Sequence, residues 1–141
     1  MKISIGSDHR GYELKKFLMQ SLTNIEWLDR GAFSQERVDY PVYAKKVCND
    51  ILSGQTERGI LICGSGIGMS IAANRHKGIF AALCWNVEVA RASRQDDNAN
   101  ILVLPANFVS DQEALALCKE WMLTPFKGDR YEKRLLQIDS D

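Results

Sequence analysis

The chain has 141 residues, 45% of them apolar and 26% charged, and its Lys+Arg and Asp+Glu counts are equal at 18 each. That predicts one domain over residues 1–141 with a sizeable core, and zero net charge leaves no electrostatic footprint for nucleic acid or a membrane surface. No secretory leader pattern or membrane-length apolar run is present, and the four cysteines form no CxxC or metal-finger spacing, so a reducing cytoplasm is expected.

In chain order, Lys2 to Gly6 reads as a short apolar strand, followed by a helix with Leu14, Phe17 and Leu18 on one face. A second strand is expected near Glu26 to Asp29. Pro41 then opens a helix where its missing N–H costs nothing, and Ala44, Val47, Cys48 and Ile51 supply its core-facing stripe. Gly59 to Cys63 is the third strand, with a glycine loop and a helix from about Met69 after it. The fourth strand is Ile79 to Cys84, its helix Val87 to Gln95, and the fifth strand Asn100 to Leu104. Ser110 with Glu113 forms a capping box for a helix burying Ala114, Leu117, Cys118 and Trp121, and a last helix covers Tyr131 to Ile138. Five strands interleaved with helices predict a three-layer α/β/α sandwich around a parallel sheet with right-handed crossovers.

The stretch Gly59-Ile60-Leu61-Ile62-Cys63-Gly64-Ser65-Gly66-Ile67-Gly68 carries the chemistry. A buried strand stops at a thiol and turns through glycines into a helix, whose free N–H groups and positive dipole end attract an anion. Cys63 stands where that anion would lie, a setting that suits a base or nucleophile. No third glycine stands at Met69, against a dinucleotide fingerprint, and no Gly-Lys-Ser/Thr follows, against a Walker loop. The absence of a nearby resolving cysteine argues against thiol-transfer chemistry. Close helix-on-strand packing and an inert buried thiol are the plainer reading of the same residues.

Ligands bind at the carboxyl edge of a parallel sheet, and strand one ends there in Gly6-Ser7-Asp8-His9-Arg10-Gly11. Asp8 and His9 are a titratable pair able to hold hydroxyls or move a proton; alone, each reads as a turn residue or a surface imidazole. Arg130 and Arg134, four apart in Gly128-Asp129-Arg130-Tyr131-Glu132-Lys133-Arg134, can clamp a phosphate, although an ordinary solvated helix face has the same spacing. Asp39-Tyr40-Pro41 reads as a helix cap with a packed ring.

Ser7-Asp8-His9-Arg10-Gly11, Asp39-Tyr40-Pro41, Cys63 to Gly68 with Ile71-Ala72-Ala73-Asn74-Arg75, and Gly128-Asp129-Arg130 with Arg134 occur in the order of a known family. The chain resembles the sugar-phosphate isomerases that include type B ribose-5-phosphate, galactose-6-phosphate and allose-6-phosphate isomerases. The resemblance covers nearly the whole chain and implies a Rossmann-like sandwich and a phosphosugar substrate. It also implies aldose–ketose isomerisation without metal or cofactor, most directly of ribose 5-phosphate with ribulose 5-phosphate. A homodimer with active sites at the subunit interface, sometimes paired into tetramers, is implied as well. On this resemblance Cys63 is the base at C2, Gly64, Ser65, Gly66, Ile67 and Gly68 cradle the enediolate oxygen, and Ser65 bonds Cys63 or a substrate hydroxyl. Asp8 and His9 match substrate-binding positions, and Arg130 and Arg134 match phosphate ligands.

The chain departs from the family pattern at several site positions. The family's Arg-x-His-Asn run reads Arg94-Gln95-Asp96-Asp97, which puts Asp96 at the ring-opening donor position and Asp97 at that of a substrate-binding asparagine. Asn107 stands where an arginine helps hold phosphate, and Tyr131 where a histidine follows Arg130. Paired carboxyls such as Asp96 and Asp97 can retain a proton through mutual repulsion, which would let Asp96 act as the donor. An allose- or galactose-6-phosphate isomerase, and a catalytically weak sugar-phosphate-binding protein, are the alternatives.

Overall fold

The computed structural model describes residues 1–140. Five parallel strands form one sheet: β1 (Lys2–Ser7), β2 (Glu26–Asp29), β3 (Arg58–Cys63), β4 (Ala81–Leu83) and β5 (Ile101–Pro105), in the order β2-β1-β3-β5-β4. The helices are α1 (Tyr12–Ser21), α2 (Tyr40–Leu52), α3 (Ile67–Asn74), α4 (Val87–Asp97), α5 (Asp111–Leu123) and α6 (Arg130–Ile138). The sandwich expected from the alternation is present, with most boundaries within two residues. The fourth strand is shorter than expected, and α3 begins two residues earlier because Gly66, at φ 77, turns the chain directly into the helix.

Alternation within each strand feeds two cores. Ile3, Ile5, Ile60, Ile62, Leu102 and Leu104 face α1, α4 and α5, where Leu14, Leu18, Ala90, Leu117 and the fully buried Trp121 close the layer. Leu61, Ile101 and Val103 face Ala44, Val47 and Cys48 of α2 and Met69 and Ala73 of α3 on the other side. Side chains this deeply buried contribute roughly 1.5–3 kcal/mol each. The capping box is real: Ser110 Oγ accepts from Glu113 N at 3.1 Å and Glu113 Oε1 accepts from Ser110 N at 2.9 Å.

Two buried cations tie the layers together. Lys15, 1% exposed, pairs with Asp29 at 2.6 Å and donates to the Ala32 carbonyl at 2.6 Å, fixing the exit from β2. Arg94 donates to the Ala99 carbonyl at 2.7 Å and the Thr124 carbonyl at 3.4 Å, while Arg58 reaches the Trp121 and Met122 carbonyls at 3.2 Å. Together they cap the carbonyl end of α5, where positive charge is favoured. Burial, and then the neighbouring charge of Arg58, lower Arg94 to about 10. Arg94 is therefore structural, although it opens the run that ends at Asp97.

In the strand order, connections leave β1 toward β2 on one side and β3 toward β5 and β4 on the other. The crevice between the carboxyl ends of β1 and β3 is the topological switch point, the usual ligand site of such sheets.

Candidate active site

Asp8 and His9 follow β1 directly, and Cys63 ends β3, so the two segments meet at the switch point. A cavity of about 380 Å³ opens there, walled by Asp8, His9, Arg10, Cys63, Gly64 and Ser65 together with the 37–40 segment and Gly68. That volume accommodates a small polar metabolite.

The local chain explains each placement. Asp8 Oδ1 accepts from Arg10 N at 2.9 Å and Gly11 N at 3.0 Å, closing a turn that launches α1. Gly11 lies so close to Ile62 that a Cβ would stand 2.7 Å from its side chain, which locks the turn against β3. His9 Nδ1 accepts from Val38 N at 3.2 Å, so the neutral ring carries its proton on Nε2. Tyr40 lies on Gly68, where a Cβ would meet its Cζ at 2.6 Å; the ring is a wall of the cavity rather than a packed cap. Asp39 makes no side-chain capping bond to α2.

Cys63 is 5% exposed, and its Sγ accepts from Gly66 N at 3.2 Å. The other cysteines are core residues: burial pushes Cys48 and Cys84 up to about 11 and Cys118 to about 12. Ser65 does not bond Cys63. Its Oγ accepts from Ile67 N at 3.2 Å, which leaves the hydroxyl proton free to donate. The first intrahelical bond of α3 runs from Ser70 N to the Gly66 carbonyl at 3.0 Å, so the N–H groups of Gly68 and Met69 have no carbonyl partner within the helix. Asn107 borders the same loop, with its N donating to the Gly64 carbonyl at 2.9 Å.

The remaining expected residues are not brought into this cavity by the same chain. Asp96 and Asp97 end α4 just before β5 begins, which places them at the amino edge of the sheet, opposite Cys63. Asp97 faces a groove with Asn74, Ala81 and Ile138. Asp96, expected at the ring-opening donor position, accepts at Oδ1 from Lys127 Nζ at 3.3 Å. The raised carboxyl of the pair is Asp97, through partial desolvation first and the charge of Asp96 second. Arg130 and Arg134 stand beside the same cluster, around the ring of Tyr131 at 5.0 and 5.4 Å from its centroid, with Lys127 at 5.1 Å. The Arg130 hydrogen bond, then the charges of Arg130 and Lys127, lower the Tyr131 phenol.

Arg10, Arg37 and Tyr40 were not singled out as cavity residues in the sequence. Their signal was adjacency: each lies within two residues of an acidic position, Asp8 or Asp39, that also lines the cavity. Among the described residues, no group of three or more His, Cys, Asp or Glu is placed to hold a metal ion, and no helix is long and apolar enough to cross a membrane.

A thiol, unpartnered helix N–H groups, an imidazole and cations around one small cavity suit proton transfer next to a developing oxyanion. Comparison with known proteins agrees. A family model described as Ribose/Galactose Isomerase matches residues 3–138. The chain is 38% identical over 139 residues to the ribose-5-phosphate isomerase B of Escherichia coli, covering 97% of this chain and 93% of that one. Among solved structures, a ribose 5-phosphate isomerase of Thermotoga maritima has a TM-score of 0.96 at 49% identity, over 98% of this chain and 97% of that one. The Mycoplasma genitalium ribose-5-phosphate isomerase B, solved with bound ribulose 5-phosphate, has a TM-score of 0.92 at 36% identity, over 97% and 93%.

Proposed function

Because the chain belongs to the ribose/galactose isomerase family, we propose that it interconverts ribose 5-phosphate and ribulose 5-phosphate, with Cys63 as the base. The observation that carries this reading is the Cys63 thiol at the mouth of α3, beside N–H groups that the helix leaves unpaired. In the open-chain aldose, the thiolate takes the proton from C2. The C2–H electron pair becomes the C1–C2 double bond, and the carbonyl oxygen at C1 takes a proton as the enediol forms. Return of the proton from the thiol to C1, with the hydroxyl proton on O2 released to replace the one taken up by O1, then leaves the carbonyl at C2. Charge accumulates on oxygen during both transfers, and preorganised N–H donors such as those of Gly68 and Met69 contribute on the order of a few kcal/mol each to lowering that barrier.

Ring opening needs a proton on the furanose oxygen. His9 lies in the cavity with its Nδ1 occupied by Val38 N, so Nε2–H is available, whereas Asp96 is tied to Lys127. We assign the donor role to His9. Asp8 and Ser65 hold sugar hydroxyls.

Arg130, Arg134 and Asp97 stand at the opposite sheet edge, so their use requires a second copy. The α3 face beside the cavity exposes Ile67 and Ile71, each 56% accessible, and α6 exposes Leu136 and Ile138 at 69% and 63%. Apolar faces of this kind flanking both halves of the site favour a two-fold homodimer in which each copy lends its α6 arginines to the other's Cys63 cavity. We place the activity in the pentose phosphate pathway and in the cytoplasm, where four free thiols are stable.

The test is a coupled assay of the purified protein with ribose, allose and galactose phosphates, run with and without chelator. In parallel, deuterium uptake from solvent at C2 is followed. Chelator-resistant turnover of ribose 5-phosphate with C2 exchange is expected. Binding without exchange would make the protein a sugar-phosphate sensor instead.

A further inference from the structure

Arg10 is placed with unusual definition for an exposed arginine. Its backbone N–H is held by Asp8 Oδ1 at 2.9 Å, and the next residue, Gly11, is pressed against Ile62. The side chain then runs across the Cys63 loop. A Cβ built on Gly64 would stand 2.9 Å from Arg10 Cδ, 3.2 Å from Arg10 Nη1 and 2.8 Å from Asn107 Nδ2. Gly64 has no left-handed φ, so its backbone does not demand glycine; the missing side chain is what lets Arg10 lie over the loop.

No ion pair engages the guanidinium there. Other arginines of the fold are engaged: Arg30 with Asp50, Arg91 with Glu120, and Arg58 and Arg94 with the carbonyls that end α5. Among the described residues Arg10 forms no ion pair and donates no side-chain hydrogen bond. Of the carboxylates that line the cavity, Asp8 spends Oδ1 on two backbone N–H groups, and Asp39 forms no ion pair with Arg10. The other arginine lining the cavity, Arg37, lies in irregular chain with no side-chain hydrogen bond to fix it.

We propose that Arg10 is a phosphate-holding residue, supplied to the Cys63 cavity by the chain that carries the thiol. The assignment rests on the phosphosugar reading above and deepens it. An aldose phosphate presents a reactive carbonyl end and a dianion. The Cys63 thiol and the α3 N–H groups take the first, and a preset guanidinium at the rim takes the second through charge-assisted bonds. One chain thus anchors both ends of the substrate, and the α6 arginines of a second copy complete the clamp.

The test uses the full-length protein and inorganic phosphate as the probe. Iodoacetamide alkylation of Cys63 is timed against phosphate concentration in the wild type, Arg10→Met and Arg10→Lys; methionine keeps the apolar stem over Gly64 and removes the charge. Phosphate is expected to protect the wild type. Arg10→Met should need about ten- to a hundred-fold more phosphate, the loss of one charged hydrogen-bonding partner, with Arg10→Lys between them. KM for ribose 5-phosphate should rise in the same order while kcat changes less than about three-fold. Equal protection in wild type and Arg10→Met, or an unchanged KM, overturns the proposal. If phosphate protection depends on Arg10 but the wild type never exchanges the C2 proton, the isomerase reading fails and the phosphate site stands.

Discussion

Removing the Cys63 thiol separates chemistry from architecture. In Cys63→Ala the loop backbone, His9, Arg10 and the α6 arginines all remain, so substrate binding should persist within a few-fold. The structural loss is one sulfur at a site only 5% exposed and one acceptor for Gly66 N. A small buried truncation of this kind costs about 1–2 kcal/mol, partly offset because water in the open cavity can replace the acceptor. For a chain of this size that is a fall in Tm of about 3–7 °C. The chemical loss is much larger, since a positioned base contributes about 10²–10⁴-fold, or roughly 2.7–5.4 kcal/mol of barrier. Two assays separate the effects: thermal denaturation for the fold, and deuterium exchange at C2 with coupled turnover for the chemistry. Iodoacetamide should inactivate the wild type, and ribose 5-phosphate should slow that inactivation. If Cys63→Ala keeps more than about a tenth of wild-type kcat, the base lies elsewhere and the proton-transfer scheme fails.

Three further outcomes follow from the same geometry. Arg130→Ala with Arg134→Ala should raise KM by about ten- to a hundred-fold, and mixing that double variant with Cys63→Ala should restore about a quarter of wild-type activity through hybrid dimers; no recovery after subunit exchange would mean that the two halves of the site do not come from different copies. His9→Asn should slow turnover of the cyclic sugar by at least about ten-fold while Asp96→Asn stays within about three-fold, and the reverse order would return the ring-opening role to Asp96. At Asp50, burial pushes the carboxyl up, but bonds from Arg30 at 2.7 and 2.8 Å and Ser4 at 2.6 Å outweigh it and hold it below its ordinary range. A depressed folded-state pKa contributes stability above the unfolded value near ~3.9 that is lost as pH falls through the folded value. Asp50→Asn should therefore cost about 2–3 kcal/mol in urea unfolding at pH 7, and the difference should shrink below about pH 4; a constant difference across that range would contradict the assignment.

The contrast between what was legible and what was not has a physical basis. Strand β3, the capping box of Ser110 and Glu113, and the core stripe of α2 could be read because each is set by residues a few positions apart. Lys15 and Arg94 could not. A lysine or arginine in a helix looks solvated until the fold supplies Asp29 and the Ala32 carbonyl to one, and the Ala99 and Thr124 carbonyls to the other. The division of the site, by contrast, was available in principle. In a parallel sheet, residues that follow a strand gather at the carboxyl edge and residues that precede one gather at the amino edge. Asp8, His9 and Cys63 follow β1 and β3, whereas Asp96 and Asp97 precede β5, so these groups stand at opposite edges of one sheet. On the proposed reading, a single copy holds two half-sites that face away from each other. In the proposed homodimer, the changes at Asp96, Asp97 and Tyr131 alter what one subunit offers its neighbour, while Asn107 is the change beside its own thiol loop.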